Sequence, residues 1–220
     1  MPVFRLNKED VIFPSPMLAE ENGLLAVGGD LSVRRLLLAY DHGIFPWYNP
    51  GEEILWWCPR KRFLIFPKDI HISHSMKKHM KRHSFRIVLN RDFQDTMHRC
   101  RTKRENDEGT WISDEMEEAF YRLHKEGYAV SVEAYEDGEL AGGLYGVSLG
   151  RCFFGESMFS ERDNGSKVAL IAFSKFLKNR DFLFIDCQFH TDHLESMGGQ
   201  YVSWETFENL LREGTGAAGN

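Results

Sequence analysis

Three alternating apolar runs in close succession, at residues 129–135, 140–147 and 152–159, constrain this chain more than any other feature of its sequence. A period of two puts successive side chains on opposite faces of a sheet. Between the first two runs lies Glu136-Asp-Gly138-Glu, whose Asp-Gly pair favours a two-residue hairpin turn. The segment therefore predicts three consecutive antiparallel strands. Around it the pattern alternates between strand and helix. Strands are expected at 63–66 and 85–89, and helices at 73–83, 92–102 and 113–126. The last of these opens with Asp114, Glu115 and Glu117, which suit the positive end of the helix dipole. After the third strand come a loop at 160–166, a helix at 167–179 and a strand at 182–188. The fold class is α+β, with a mixed sheet in the larger, C-terminal part.

The first 58 residues differ, because Pro14, Pro16, Pro46, Pro50 and Gly28-Gly29 cut them into short elements, with Pro59 just beyond. One helix stands out there. Asp30 or Ser32 can cap it, Leu36, Leu37 and Tyr40 give it an apolar face, and Gly43 can stop it. The short apolar run 54–57 follows. These features divide the chain into a small N-terminal domain at 1–62, a larger domain at 63–212 and a disordered tail at 213–220. No apolar run approaches the roughly 18 residues that a membrane helix needs, and the N-terminus lacks the pattern of a signal peptide. The expectation is a cytoplasmic protein without a membrane partner. Cys58, Cys100, Cys152 and Cys187 are scattered with no metal-ligand spacing, so buried thiols are expected and a metal is not.

The net charge of −6 conceals a basic block. Residues 60–104 hold 14 of the 27 Lys and Arg against only Asp69, Asp92 and Asp95, a local balance of +11. Such a block on an acidic chain reads as a polyanion contact, because neutralised phosphates release counterions. A solvated basic face without a partner is the bland alternative. Lys77, Lys78, Lys81 and Arg82, on the expected helix at 73–83, are the candidate contacts. His71, His74, His79 and His83 lie among them, but neighbouring cations favour phosphate over a metal ion.

Two further features carry chemistry. On a regular strand at 182–188, Phe182, Phe184, Asp186 and Gln188 would share one face. A carboxylate and an amide there either point to solvent at the strand end, or act together, Asp186 orienting the Gln188 amide toward a reacting group. The second feature is Gly155-Glu-Ser-Met-Phe-Ser160, followed by Arg162-Asp-Asn-Gly-Ser-Lys167 and a helix, which offers backbone N–H groups to an anion. This loop resembles the acyl-CoA loop of GNAT acetyltransferases at Arg162 and Gly165. Lys167 departs from it, where a small residue would be needed beside a pyrophosphate.

Six motifs read in order give a more specific likeness: Gly23-Leu-Leu-Ala-Val-Gly-Gly-Asp-Leu31, Gly43-Ile-Phe-Pro-Trp47, Leu55-Trp-Trp-Cys-Pro59, Gly109-Thr-Trp-Ile112, Gly155-Glu-Ser-Met-Phe-Ser160 and Ile185-Asp-Cys-Gln188. From about residue 11 to 210 the chain resembles the leucyl/phenylalanyl-tRNA protein transferases. The resemblance implies a GNAT-like C-terminal domain that binds the aminoacyl-adenosine end of tRNA. It also implies transfer of Leu, Phe and, more weakly, Met to acceptor proteins with an N-terminal Arg or Lys, marking them for degradation by the N-end rule. Carried over residue by residue, it puts Trp47 and Trp111 against the adenosine, with Phe153, Met158, Phe173 and Ile185 around the esterified side chain. Leu144 stands where Met would be expected, and Phe120-Tyr121 where a Tyr is usual.

Converting an ester to an amide is downhill, so no cofactor is expected and the task is to position a neutral amine. Asp186 and Gln188 are the candidate catalytic pair, Asp186 orienting Gln188 and helping to accept the amine proton. Glu156 is the candidate for attracting the acceptor's basic side chain. The competing readings are an N-acetyltransferase using acetyl-CoA and a non-catalytic RNA-binding module.

Overall fold

The computed structural model describes residues 3–107 and 112–216, and the side chains of all of these except 104–107. Trp111 lies outside the described residues, as do 217–220 of the expected tail. In chain order the elements begin with β1 (Phe4–Leu6), β2 (Leu24–Gly28), α1 (Val33–Asp41), β3 (Phe45–Pro46), β4 (Leu55–Trp57) and β5 (Lys61–Ile65). There follow α2 (His74–Arg82), β6 (Phe85–Leu89), α3 (Phe93–Asp107), α4 (Asp114–Lys125), β7 (Ala129–Glu136), β8 (Glu139–Leu149) and β9 (Cys152–Ser160). The chain ends in α5 (Gly165–Lys178), β10 (Phe184–Asp186), α6 (Asp192–Glu195), β11 (Gln200–Ser203) and α7 (Trp204–Thr215).

Two sheets result, a small one ordered β1-β2-β4-β3 and a mixed one of seven strands ordered β11-β5-β10-β9-β8-β7-β6. The expected meander is β7-β8-β9. Its first turn closes with Glu136 opposite Glu139, and both Asp137 and Gly138 have positive φ, as a tight hairpin of this hand requires. In α1 the Ser32 hydroxyl accepts the Arg35 N–H, while Asp30 instead accepts the N–H of Ser32. Leu36 and Tyr40 of that helix enter a core shared with Phe154, Phe184 and Phe207 of the larger sheet and α7. A second apolar cluster, containing Met76, Leu144, Phe153, Leu170, Phe173 and Ile185, fills the other face of the mixed sheet.

Three expectations are corrected. The strand expected at 182–188 is only Phe184–Asp186, because Gln188 takes the left-handed conformation (φ 62°) and its N–H donates to Asp186 Oδ1 at 2.9 Å. This local turn removes Gln188 from the face occupied by Phe184 and Asp186. The helix expected at 92–102 continues to Asp107. The C-terminal helix α7 runs to Thr215, three residues into the segment expected as a tail, and its Gly214 carbonyl accepts the Arg151 N–H.

Candidate active site

The mixed sheet contains one parallel pair, β9 with β10, and it stops at Phe154 opposite Asp186. Beyond that point β9 continues along β8 while the chain after β10 turns away. The space between them is a cavity of about 400 Å³. Leu144, Phe153, Met158, Leu170 and Ile185 give it an apolar wall, and Phe45, Trp47 and Phe189 lie along its lining. Trp47 and Phe189 are 42% and 38% exposed, with ring centroids 5.3 Å apart, and so form a wet aromatic rim.

A bulge sets the polar end of the cavity. Tyr145 faces Ser157 and the next residue of β8, Gly146, faces Gly155, so Glu156 is the extra residue in β9. Bulges re-aim side chains in this way. A Cβ on Gly146 would lie 2.1 Å from the Phe154 carbonyl oxygen, which explains the glycine at this crossing. Glu156 Oε1 accepts the Tyr40 hydroxyl at 2.8 Å and Gln188 Nε2 at 3.0 Å. With Nε2 committed to Glu156, the amide oxygen of Gln188 is left as the acceptor at the cavity wall. That orientation follows from the hydrogen-bond network.

Asp186 is organised differently. Its carboxylate is fully buried and held by Arg62, with Nε at 3.0 and 2.9 Å from the two oxygens and Nη2 at 2.7 Å. The guanidinium lies 4.7 Å from the ring centroids of both Phe45 and Phe207. Asp186 therefore fixes the main chain of Gln188, whereas Glu156 fixes its side chain. The expectation that Asp186 holds the Gln188 amide is corrected, since the turn at Gln188 carries that amide toward β9.

Glu156, expected to attract the acceptor's basic side chain, stands in the cavity lining. Burial pushes its carboxyl up to about 8 against the hydrogen bonds from Tyr40 and Gln188. The Tyr40 hydroxyl is likewise pushed well above its ordinary range, by burial first and Glu156 second. The folded protein holds this proton across the interval from 4.5 to about 8, where the unfolded chain releases it. The stabilising contribution is thus complete below 4.5 and falls as pH rises through about 8. Glu156→Gln keeps an acceptor oxygen for both donors but removes the titration. Relative to the unaltered protein, its stability from denaturant melts is expected to gain roughly 2 kcal/mol between about pH 6 and 8. A difference independent of pH would contradict this.

Of the residues expected around the aminoacyl-adenosine, Trp47, Leu144, Phe153, Met158 and Ile185 line the cavity. Phe173 does not; it packs edge-on behind Phe153, with centroids 4.7 Å apart, and Leu170 one helical turn earlier reaches the cavity in its place. Leu170 and Phe189 were within reach of sequence reasoning, one by helical spacing and the other by adjacency to Gln188. Tyr40 and Arg62 were not, because their partners lie 116 and 124 residues away. Phe120 is buried against Tyr145 and presents no hydroxyl.

In the loop that resembles an acyl-CoA site, two N–H groups are engaged internally. The Gly165 N–H donates to the Arg162 carbonyl and the Ser166 N–H to Ser160 Oγ. A Cβ on Gly165 would lie 1.9 Å from the Ala141 carbonyl oxygen, so the start of α5 is pressed onto β8. The basic block also divides. Arg62 is spent on Asp186, and Arg99, Arg101 and Lys103 pair with Asp95, Glu161, Asp114 and Glu117. Lys77, Lys78, Lys81 and Arg82 remain exposed on α2 with no ion pair among the described residues.

Comparison with known proteins matches residues 64–212 to the family described as leucyl/phenylalanyl-tRNA protein transferase, and residues 29–60 to the N-terminal domain of the same family. A protein of that name from Syntrophus aciditrophicus is 53% identical over 97% of this chain and 89% of its own. Its counterpart from Desulfatibacillum aliphaticivorans is 52% identical over 97% of this chain and 91% of its own. Among solved structures, a predicted acetyltransferase with acetyl-CoA from Clostridium acetobutylicum aligns at 15% identity over 50% of this chain and 82% of that chain, with a TM-score of 0.37.

Proposed function

The chain belongs to the leucyl/phenylalanyl-tRNA protein transferase family, and from that premise we propose how its cavity carries out the transfer. The protein is an aminoacyltransferase that takes Leu or Phe from aminoacyl-tRNA and joins it to an acceptor protein. The side chain of the esterified amino acid enters the apolar wall of Leu144, Phe153, Met158, Leu170 and Ile185. A missing methylene there costs only about 1–3 kcal/mol, which allows Met as a weaker substrate, while a charged side chain would be stranded. The terminal adenosine stacks on Trp47, with Trp111 as its second aromatic, and its ester carbonyl lies before Gln188.

The observation that carries this reading is the pinned Gln188 amide at the polar end of an apolar cavity. Its Oε1 accepts an N–H of the acceptor's neutral α-amine and holds the nitrogen in line with the carbonyl carbon. The C–N bond forms, the bond from carbon to the ribose 3′ oxygen breaks, and the proton lost by nitrogen balances the one gained by that oxygen. A relay of one proton is sufficient, and no base needs to retain it. Asp186, with both oxygens engaged by Arg62, is a positioning residue rather than the proton acceptor. Glu156, at about 8, is closer to the range useful for proton relay at neutral pH.

Acceptors with an N-terminal Arg or Lys, entry of the products into the N-end rule pathway and a cytoplasmic location complete the proposal. No helix among the described residues is long and apolar enough to cross a membrane, which fits that location. The decisive experiment is transfer of labelled Leu or Phe from charged tRNA to a protein beginning with Arg or Lys, with acetyl-CoA as a parallel donor. Transfer from the charged tRNA alone is expected. Acetyl transfer, or RNA binding without transfer, would overturn the reading.

The exposed cations of α2 meet the phosphates of the tRNA acceptor stem. Affinity for tRNA is accordingly expected to fall steeply between about 50 and 200 mM salt, and each of Lys77→Ala and Lys81→Ala to reduce the log–log salt slope by about 1. Filter binding across a salt series measures this, and slopes equal to that of the unaltered protein would place the stem elsewhere.

A further inference from the structure

Gln188 and Phe189 line a second space besides the aminoacyl cavity, a groove of about 770 Å³ bounded also by Glu21, Arg60, Lys61, His190 and Tyr201. The two spaces thus share the wall at which the reaction takes place. Whatever occupies the groove therefore reaches Gln188 and Phe189, the two residues it shares with the apolar cavity. A transferase has two candidates for this position: the acceptor's N-terminal segment, and the single-stranded nucleotides that precede the terminal adenosine.

Charge and aromatic surface discriminate between them. Lys61 is exposed with no ion pair among the described residues, and Arg60 is tethered at the groove by donating to the Met17 carbonyl. Only Glu21 opposes these two cations in the groove lining. An acceptor segment that begins with Arg or Lys and bears an α-amine would bring positive charge against positive charge, whereas a ribose-phosphate chain brings the opposite sign. The aromatic groups point the same way. Tyr201 is 57% exposed, and one face of its ring stacks on His190, with centroids 5.9 Å apart and planes 18° from parallel. Phe63 supports both rings edge-on at 5.0 Å, and Glu195 holds His190 Nε2 at 2.9 Å. A braced, exposed aromatic face beside cations is the arrangement by which proteins hold single-stranded nucleic acid without reading its sequence. It is also continuous with the Trp47–Phe189 rim, since Phe189 faces both spaces.

We infer that this groove binds the single-stranded 3′ nucleotides next to the terminal adenosine, their bases stacking on Tyr201 and their phosphates meeting Lys61 and Arg60. The inference rests on the transferase reading and adds to it a subsite for the donor. Two donors test it, phenylalanyl-adenosine and the trinucleotide cytidylyl-cytidylyl-phenylalanyl-adenosine, each with the same acceptor peptide. Tyr201→Ala and Lys61→Ala are expected to raise the KM of the trinucleotide about tenfold while leaving kcat and KM for phenylalanyl-adenosine within about twofold, which also reports an intact fold. The Lys61 variant should in addition weaken the salt dependence of the trinucleotide KM. Equal KM values for the trinucleotide in variant and unaltered protein would overturn the assignment. A raised KM for the acceptor peptide with both donors would overturn it in favour of the acceptor segment. Failure of the unaltered protein to transfer from either donor would overturn the transferase reading itself.

Discussion

Replacing Asp186 by Ala is expected to destabilise the protein by about 3–5 kcal/mol, which is the cost of leaving a buried charge without its partner. Arg62 and Asp186 are both fully buried, and the guanidinium cannot escape by losing its proton. The two rings on either side of it are a weaker substitute for a carboxylate. Denaturant melts measure the loss, and a change below about 1 kcal/mol would show that water reaches the guanidinium. Turnover falls for a separate reason, because the Gln188 N–H loses the acceptor that holds the left-handed turn. The double variant Arg62→Met, Asp186→Leu separates the two effects. An apolar pair in place of a buried ion pair is often neutral or better in stability, so folding should recover while turnover stays at least about tenfold low.

Gln188→Ala is expected to have the converse profile. Gln188 is half-buried and its side chain makes a single hydrogen bond within the protein, so the stability change should stay within about 1 kcal/mol. Its catalytic cost is larger. If its amide oxygen holds the attacking amine in line, loss of that contact should lower kcat about 100-fold or more, comparable to removal of one preorganised polar group in other acyl-transfer sites. KM for aminoacyl-tRNA should change little, because the apolar wall, the aromatic rim and the cations of α2 are untouched. Steady-state kinetics with Leu-tRNA or Phe-tRNA decide the matter. A rise in KM at constant kcat would mean that Gln188 only binds substrate, and near-normal turnover would remove it from the mechanism.

Glu156 differs from both, since its role depends on a bulge. A regular β9 would have directed alternate residues to alternate faces, and the extra residue is what allows Tyr40, Glu156 and Gln188 to meet. This network joins α1 from the small-sheet end of the chain to the cavity wall, so the N-terminal segment contributes to the site through Tyr40.

The sequence alone determined the local elements. The meander follows from period-two alternation and an Asp-Gly turn, α1 from a cap at Asp30 or Ser32 with an apolar face, and the wall residues Leu144, Phe153, Met158 and Ile185 from the family resemblance. It also placed Lys77, Lys78, Lys81 and Arg82 together on one short helix. These are properties of neighbouring residues, and propensity, capping and periodicity act over a few positions. The tertiary structure decided which polar groups meet. Asp186 and Gln188 are two residues apart, yet one faces Arg62 and the other Glu156, because a left-handed turn intervenes. Glu156 became a buried anchor for Tyr40 and Gln188, and Phe173 ceded its place at the cavity to Leu170. The physical reason is that burial and ion pairing depend on strands brought together from more than a hundred residues apart, and no short-range pattern encodes the partner that a buried charge will find.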